Sequence, residues 1–374
     1  MPVAPAIIRA GSLPQERRIL LLQKLSRMLR EIISVPDMPQ AASRPAGTLV
    51  ACLLLATLSS GSTFPGVMPP PGSSDGHVLR QVVITLDDLP KTMGEESLGS
   101  ATMVTDATLA ALSKHEVPAL GFVIGSKVFI KNEVDARLDL LRRWVAAGHE
   151  LGNHSFSHPS FQKMGLIPYE DDVLRGDLAP RLIMAETERP VRYFRHPYNQ
   201  TGPSSEVKAE FRAFMTARGT IIAPFTVEHA DYLFNLLWVK AREIGDEKQA
   251  ERIRAAYMAH LDTAFDFAEE LALDTFGDPI PQVFLIHTND INARSLDAIL
   301  TRLEDRGYRF ISMDQAMKHP AYATPDTYVG GNGISWLHRW RYSLDLPDRL
   351  RQEPDPPGWI IKAWRAAQQQ AEGD

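Results

Sequence analysis

Apolar residues along this chain gather into short dense runs separated by helical patterns, and that alternation predicts the architecture. Strand-like runs stand at VVITL (82–86), ALGFVI (119–124), ELGN (150–153), VRYF (191–194), TIIAPF (220–225), VFLIH (283–287) and YRFIS (308–312). Between them the apolar spacing becomes helical. In SLDAILTRLEDRG, Leu296, Ile299, Leu300 and Leu303 form one face, with Ser295 expected to cap the helix and Gly307 to stop it. Asn132 likewise precedes EVDARLDLLRRWVAA, which ends at Gly148. Such alternation implies parallel strands with right-handed crossovers, covered on both faces. The expected fold class is α/β, a distorted (β/α)7 barrel.

The spacing breaks once, between the fifth and sixth strands. A helical insertion is expected at about 233–278, where Ile253, Tyr257, Leu261, Phe265 and Ala268 mark a long amphipathic helix with no obvious chemistry. Residues 321–374 hold four of the six tryptophans. Trp336 and Trp340, in SWLHRW, read as packing residues before sugar-stacking ones.

Upstream, the ten-residue apolar run LVACLLLATL (49–58) is too short to span a bilayer but suits the core of a secretory signal over about 44–61, with Gly61 as the last residue before cleavage. The amphipathic stretch RRILLLQKLSRMLREII precedes it, and an internal start at Met38 or a misassigned first codon would restore an ordinary signal peptide. A Pro/Gly/Ser-rich linker follows at 62–76. The expected organisation is an N-terminal extension (1–77), a catalytic domain (78–320) and a C-terminal extension (321–374). Export to the periplasm or outside is expected, with no transmembrane span in the mature protein; a cytoplasmic location follows if 49–58 is not a signal.

Composition narrows the chemistry. With 374 residues, 44% of them hydrophobic, the chain can bury a large core, and a net charge of -6 offers no basic footprint for nucleic acid. Cys52 is the sole cysteine, so a metal would rest on histidine and carboxylate ligands. Such groups stand at the C-terminal ends of the expected strands, where parallel α/β barrels place their active sites. Asp87 and Asp88 end the first, His154 and His158 follow the third, Arg195 ends the fourth and His287 ends the sixth. Asp88, His154 and His158 make a three-ligand metal site with a position left for water. Asp87 is then placed to take a proton and His287 to give one to a leaving amine, with Asp231 holding Arg195 or His287 in place. His149 and His196, near these motifs, read as packing or orienting residues.

In this order the motifs resemble those of the polysaccharide deacetylase family, over roughly residues 80 to 318. TLDDLP looks like the family's TFDDGP, whose first aspartate is the general base and second a metal ligand, and NHSFSHP looks like its H(S/T)xxH. FRHPYN is similar to RxPY, which implies that the backbone N–H of Tyr198 helps hold the oxyanion. EHADY resembles DxxDW and implies Asp231 as the partner of Arg195; LIH resembles LxH and implies His287 as the general acid. A His/His/Asp site suits zinc first, and cobalt, nickel or iron(II) as well; the resemblance implies an N-acetylated carbohydrate substrate. A non-sugar amide, an O-acetyl ester, or carbohydrate binding without turnover are the alternatives. Leu89, Glu228 and Tyr232 depart from the family residues, and each is expected to reshape the substrate groove.

Overall fold

The computed structural model describes residues 80–373. The amphipathic stretch, the signal-like run and the linker lie outside the described residues. Seven parallel strands form the sheet: β1 (Arg80–Leu89), β2 (Leu120–Val123), β3 (Glu150–Asn153), β4 (Tyr193–Phe194), β5 (Ile221–Ile222), β6 (Gln282–His287) and β7 (Tyr308–Phe310). Their order is β5-β4-β3-β2-β1-β6, with β7 paired to the first residues of β1. The ring closes just beyond β5, where Val227 bridges to Phe284 of β6 and Thr226 N–H donates to Val283 O at 2.8 Å. The architecture is a distorted seven-stranded α/β barrel, as the alternation predicts.

Helices cover the sheet: α1 (Leu98–Lys114), α2 (Val134–Ala146), α3 (Leu166–Gly176), α4 (Leu178–Ala185), α5 (Ser205–Ala217), α6 (Asp231–Glu243), α7 (Glu247–Phe276), α8 (Asp290–Asp305), α9 (Trp336–Ser343) and α10 (Gly358–Gly373). Shorter helical turns complete the order. The stops at Gly148 (φ 94°) and Gly307 (φ 80°) take the left-handed backbone that glycine accepts at least cost.

Both expected caps are corrected. Asn289, six residues before Ser295, caps α8 through a hydrogen bond from Asn292 N–H at 3.0 Å, and Ser295 is buried mid-helix. Asn132 lies one residue before the N-cap Glu133 of α2, and neither side chain caps it. The expected insertion is two helices, and the first begins at Asp231 itself. The apolar positions of α7, Ile253, Tyr257, Leu261, Phe265 and Ala268, are all buried in the main core.

The C-terminal stretch packs into that same core. Trp340 lies edge-on to Phe276 and Tyr322, and Trp336 edge-on to Phe225, whose carbonyl accepts the Trp336 N–H at 2.9 Å. Both indoles are buried, as packing requires. This covers the stretch just beyond β5.

Candidate active site

Consecutive residues of a regular strand point to opposite faces, so Asp87 and Asp88 would ordinarily part company. Here the β1–β2 register shifts between Leu86 and Leu89, and Asp88 takes φ 70°. This irregularity turns both carboxylates toward one hollow. It also sends Leu89 inward. Leu89 is fully buried and fills the space left by Gly121, where a Cβ would stand 2.6 Å from Leu89 Cδ2. The expectation that Leu89 shapes the groove is thus corrected: it is a core residue.

The two histidines follow β3 on a loop held from beneath. Asp172 of α3 accepts the N–H groups of Phe156 and Ser157, each at 3.0 Å, and Asn153 Oδ1 accepts that of Ser155 at 2.7 Å. Ser155 and His158 are left-handed (φ 66° and 55°), which curls the loop so that its rings converge. The ligand atoms of Asp88, His154 and His158 all lie within 4.8 Å of one another. His154 Nε2 is 3.3 Å and His158 Nε2 3.6 Å from Asp88 Oδ1.

The electrostatics suit a metal. His154 Nδ1 lies 2.8 Å from the Arg195 carbonyl, which can only accept, so the proton sits there and Nε2 offers its lone pair. Burial pushes the His158 pKa down to about 4 against the pull of Asp88, so its ring is neutral at neutral pH. Burial alone would raise the Asp88 pKa, yet the imidazoles facing it, His154, His158 and His287, hold it below the ordinary carboxylate value. Asp88 Oδ1 is buried with no hydrogen-bond partner, an orphaned acceptor that a cation would satisfy.

Asp87 is pinned from the other side. Arg195 Nη1 donates to Asp87 Oδ1 and to Thr85 Oγ1, each at 2.7 Å, while Nη2 reaches the Pro224 carbonyl at 3.0 Å. Asp87 Oδ2 lies 3.8 Å from His154 Nε2, on the side of the ligand group. The β1–β6 register sets Asp87 beside His287. His287 Nδ1 is 2.7 Å from Asp231 Oδ1, and Asp231 raises the His287 pKa to about 10 although burial works against it. Tyr198 lies on the 3-10 turn Pro197–Asn199, left-handed at φ 53°, with its ring edge-on to that of His158 and the ring centroids 4.6 Å apart.

All eight expected residues therefore meet around one hollow, but one partnership differs. Asp231 bonds His287 and not Arg195, because Ala230 (φ 54°) turns the chain so that α6 begins under β6. Arg195 pairs with Asp87 directly. His196 bonds the Tyr169 hydroxyl at 2.9 Å and His149 packs on Trp144, so both are buried supports. Glu228 and Tyr232 line a separate cavity of about 350 Å³ between α6, α7 and the C-terminal stretch, where burial raises the Glu228 pKa to about 7. Sequence reasoning missed Thr85. Its signal was legible: the one polar residue of VVITL stands two before Asp87, on the same strand face.

Residues 77–214 match the family model described as polysaccharide deacetylase. A chitooligosaccharide deacetylase from Sinorhizobium fredii is 38% identical over 117 residues, 31% of this chain and 46% of the relative. The peptidoglycan-N-acetylglucosamine deacetylase PgdA of Listeria monocytogenes is 23% identical over 283 residues, 76% of this chain and 48% of the relative. The chain thus spans about half the length of these curated relatives. A family 4 carbohydrate esterase from Streptomyces lividans, solved in complex with acetate, is 20% identical with a TM-score of 0.42, covering 63% of this chain and 95% of that one. The family match takes in the first four strands and the whole Asp88, His154 and His158 group, and this part of the chain is similar to the polysaccharide deacetylase family.

Proposed function

We propose that this protein is a metal-dependent hydrolase that removes acetyl groups from N-acetylated sugars of a chitin- or peptidoglycan-like polymer. The observation that carries this reading is the orphaned Asp88 Oδ1 between two imidazole nitrogens, flanked by an arginine-held carboxylate and a carboxylate-held histidine. Asp88, His154 and His158 would hold the metal. An N2O donor set suits zinc first, and cobalt, nickel or iron(II) as well. A divalent cation there supplies Lewis-acid polarisation of the substrate carbonyl and makes a nearby water more acidic.

The residues then divide the proton transfers. Asp87, fixed by Arg195, accepts the proton of the attacking water through its second oxygen. As the carbonyl carbon becomes tetrahedral, the backbone N–H of Tyr198 meets the charge growing on its oxygen. His287 carries its proton at neutral pH because of Asp231, and gives it to the departing amine. Glycan is the partner that supports this chemistry, and the signal-like run 49–58 supports export to where such polymers lie. Among the described residues no helix is long and apolar enough to cross a membrane.

Metal content and acetate release, measured together on chitin oligomers, peptidoglycan and acetylated xylan, test the proposal. Asp88→Ala should lose metal and turnover at once. Asp87→Asn should keep its metal and lose about 10²-fold or more in kcat, the scale of general base catalysis. Full turnover in Asp87→Asn would remove the base assignment, and acetate released from xylan alone would replace the amide by an ester.

A further inference from the structure

Asp231 is held by more than His287. While its Oδ1 faces the His287 ring, its Oδ2 collects the His287 backbone N–H at 2.8 Å, the Asn292 side-chain amide at 2.5 Å and the Asn289 amide at 3.3 Å. Asn292 Nδ2 also donates to the His287 carbonyl at 2.9 Å, so one NH2 group grips both members of the pair. The other end of that amide, Oδ1, accepts from the Tyr257 hydroxyl. Asn292 and Tyr257 are buried, and both belong to elements outside the quoted motifs, the first turn of α8 and the middle of α7.

An asparagine amide has a donor end and an acceptor end, and its neighbours decide which faces where. Flipped, Asn292 would set its carbonyl oxygen against the Asp231 carboxylate and leave the His287 carbonyl without this donor. The Asp231 carboxylate and the His287 carbonyl can only accept, so they forbid that flip, and the Tyr257 hydroxyl completes the unflipped arrangement by donating to Oδ1. We propose that Asn292 is a positioning residue for His287, and that Tyr257 steadies its amide by donating to Oδ1. Asp231, clamped through Oδ2, keeps Oδ1 on the His287 Nδ1–H, and Nε2 is left as the nitrogen that delivers the proton. The inference rests on the reading of His287 as proton donor.

The test uses the full chain, with Asn292→Ala and Tyr257→Phe made singly and in combination with Asp231→Asn. Proton NMR of 15N-labelled protein follows the downfield His287 Nδ1–H resonance, identified by its loss in His287→Gln. In Asn292→Ala this resonance should move and exchange faster with water. Its kcat for acetate release should fall about 10- to 100-fold, the usual cost of losing an outer hydrogen-bonding partner, with KM within about two-fold. In the Asp231→Asn background the same change should cost little more, because the two residues act through one another. Tyr257→Phe removes a single hydroxyl from a filled core, and should shift the same readouts in the same direction but less. An unmoved resonance in both variants, or losses that multiply fully with Asp231→Asn, overturns the assignment. If the wild-type chain releases no acetate from any of the glycans, the deacetylase reading falls and the resonance alone decides the role of Asn292.

Discussion

At the scale of single residues, the site is a set of charges placed where burial would otherwise forbid them. His287 carries its proton because Asp231 outweighs the cost of burying it, and this has a pH signature. A histidine whose folded pKa is raised contributes stability that is fully present below its unfolded value near 6.5, and loses it as pH rises through the folded value of about 10. In metal-stripped protein, the stability advantage of wild type over His287→Gln should therefore shrink between those limits, by at most about 1.4 kcal/mol per pH unit. Denaturant titrations across that range check it, and a constant advantage would refute it. The types of group needed were legible in the sequence, since polar residues ending apolar runs are conspicuous. Their pairing was not. EHADY read along the chain gives Asp231 no way to choose between Arg195 and His287; that choice is made by the backbone turn at Ala230 and by four donors arriving from β6 and α8.

At the scale of elements, strands were easier to find than to measure. VRYF and TIIAPF each contribute only two paired residues, because the chain leaves the sheet early to form the loops that carry Arg195 and close the ring. The start of α8 was misplaced for a similar reason. Asn289 and Asp290 follow β6 so closely that strand end and helix cap share one short stretch, and an apolar-period search begins too late to see it. The β1 irregularity carries an energetic consequence at Gly121. Gly121→Ala should cost about 1–3 kcal/mol, the usual cost of overpacking a filled core, by forcing Leu89 off its seat. Adding Leu89→Ala should recover part of that loss in a double-mutant cycle read by urea denaturation. Strict additivity would mean that the two side chains do not meet.

At the scale of the whole described chain, the C-terminal stretch belongs to the barrel's integrity and reaches the site. Arg339 donates to the Asn199 carbonyl at 2.6 Å and to Thr201 Oγ1 at 3.0 Å, and Gly333 lies so close to the Tyr198 carbonyl that no Cβ would fit. The turn that presents Tyr198 is thus braced from beyond residue 330. Composition could flag the tryptophans but could not say what they touch, since their partners Phe225, Phe276 and Tyr322 lie on three separate segments. Trp340→Ala should lower unfolding free energy by about 3–5 kcal/mol while changing KM for glycan less than about two-fold. A large KM effect with little loss of stability would instead assign this indole to sugar binding.

Around the hollow, Asp88, Ser155, His158, Tyr198, Asn199 and Ala230 all hold the left-handed backbone that L-residues avoid, at roughly 1–2 kcal/mol each. Local preference therefore works against the hollow until the surrounding sheet and clasps impose it. A metal held there as proposed would therefore meet a cradle whose shape the barrel and its clasps impose. Its binding would tighten the part of the described chain where left-handed residues cluster, and its removal would loosen that part before the barrel.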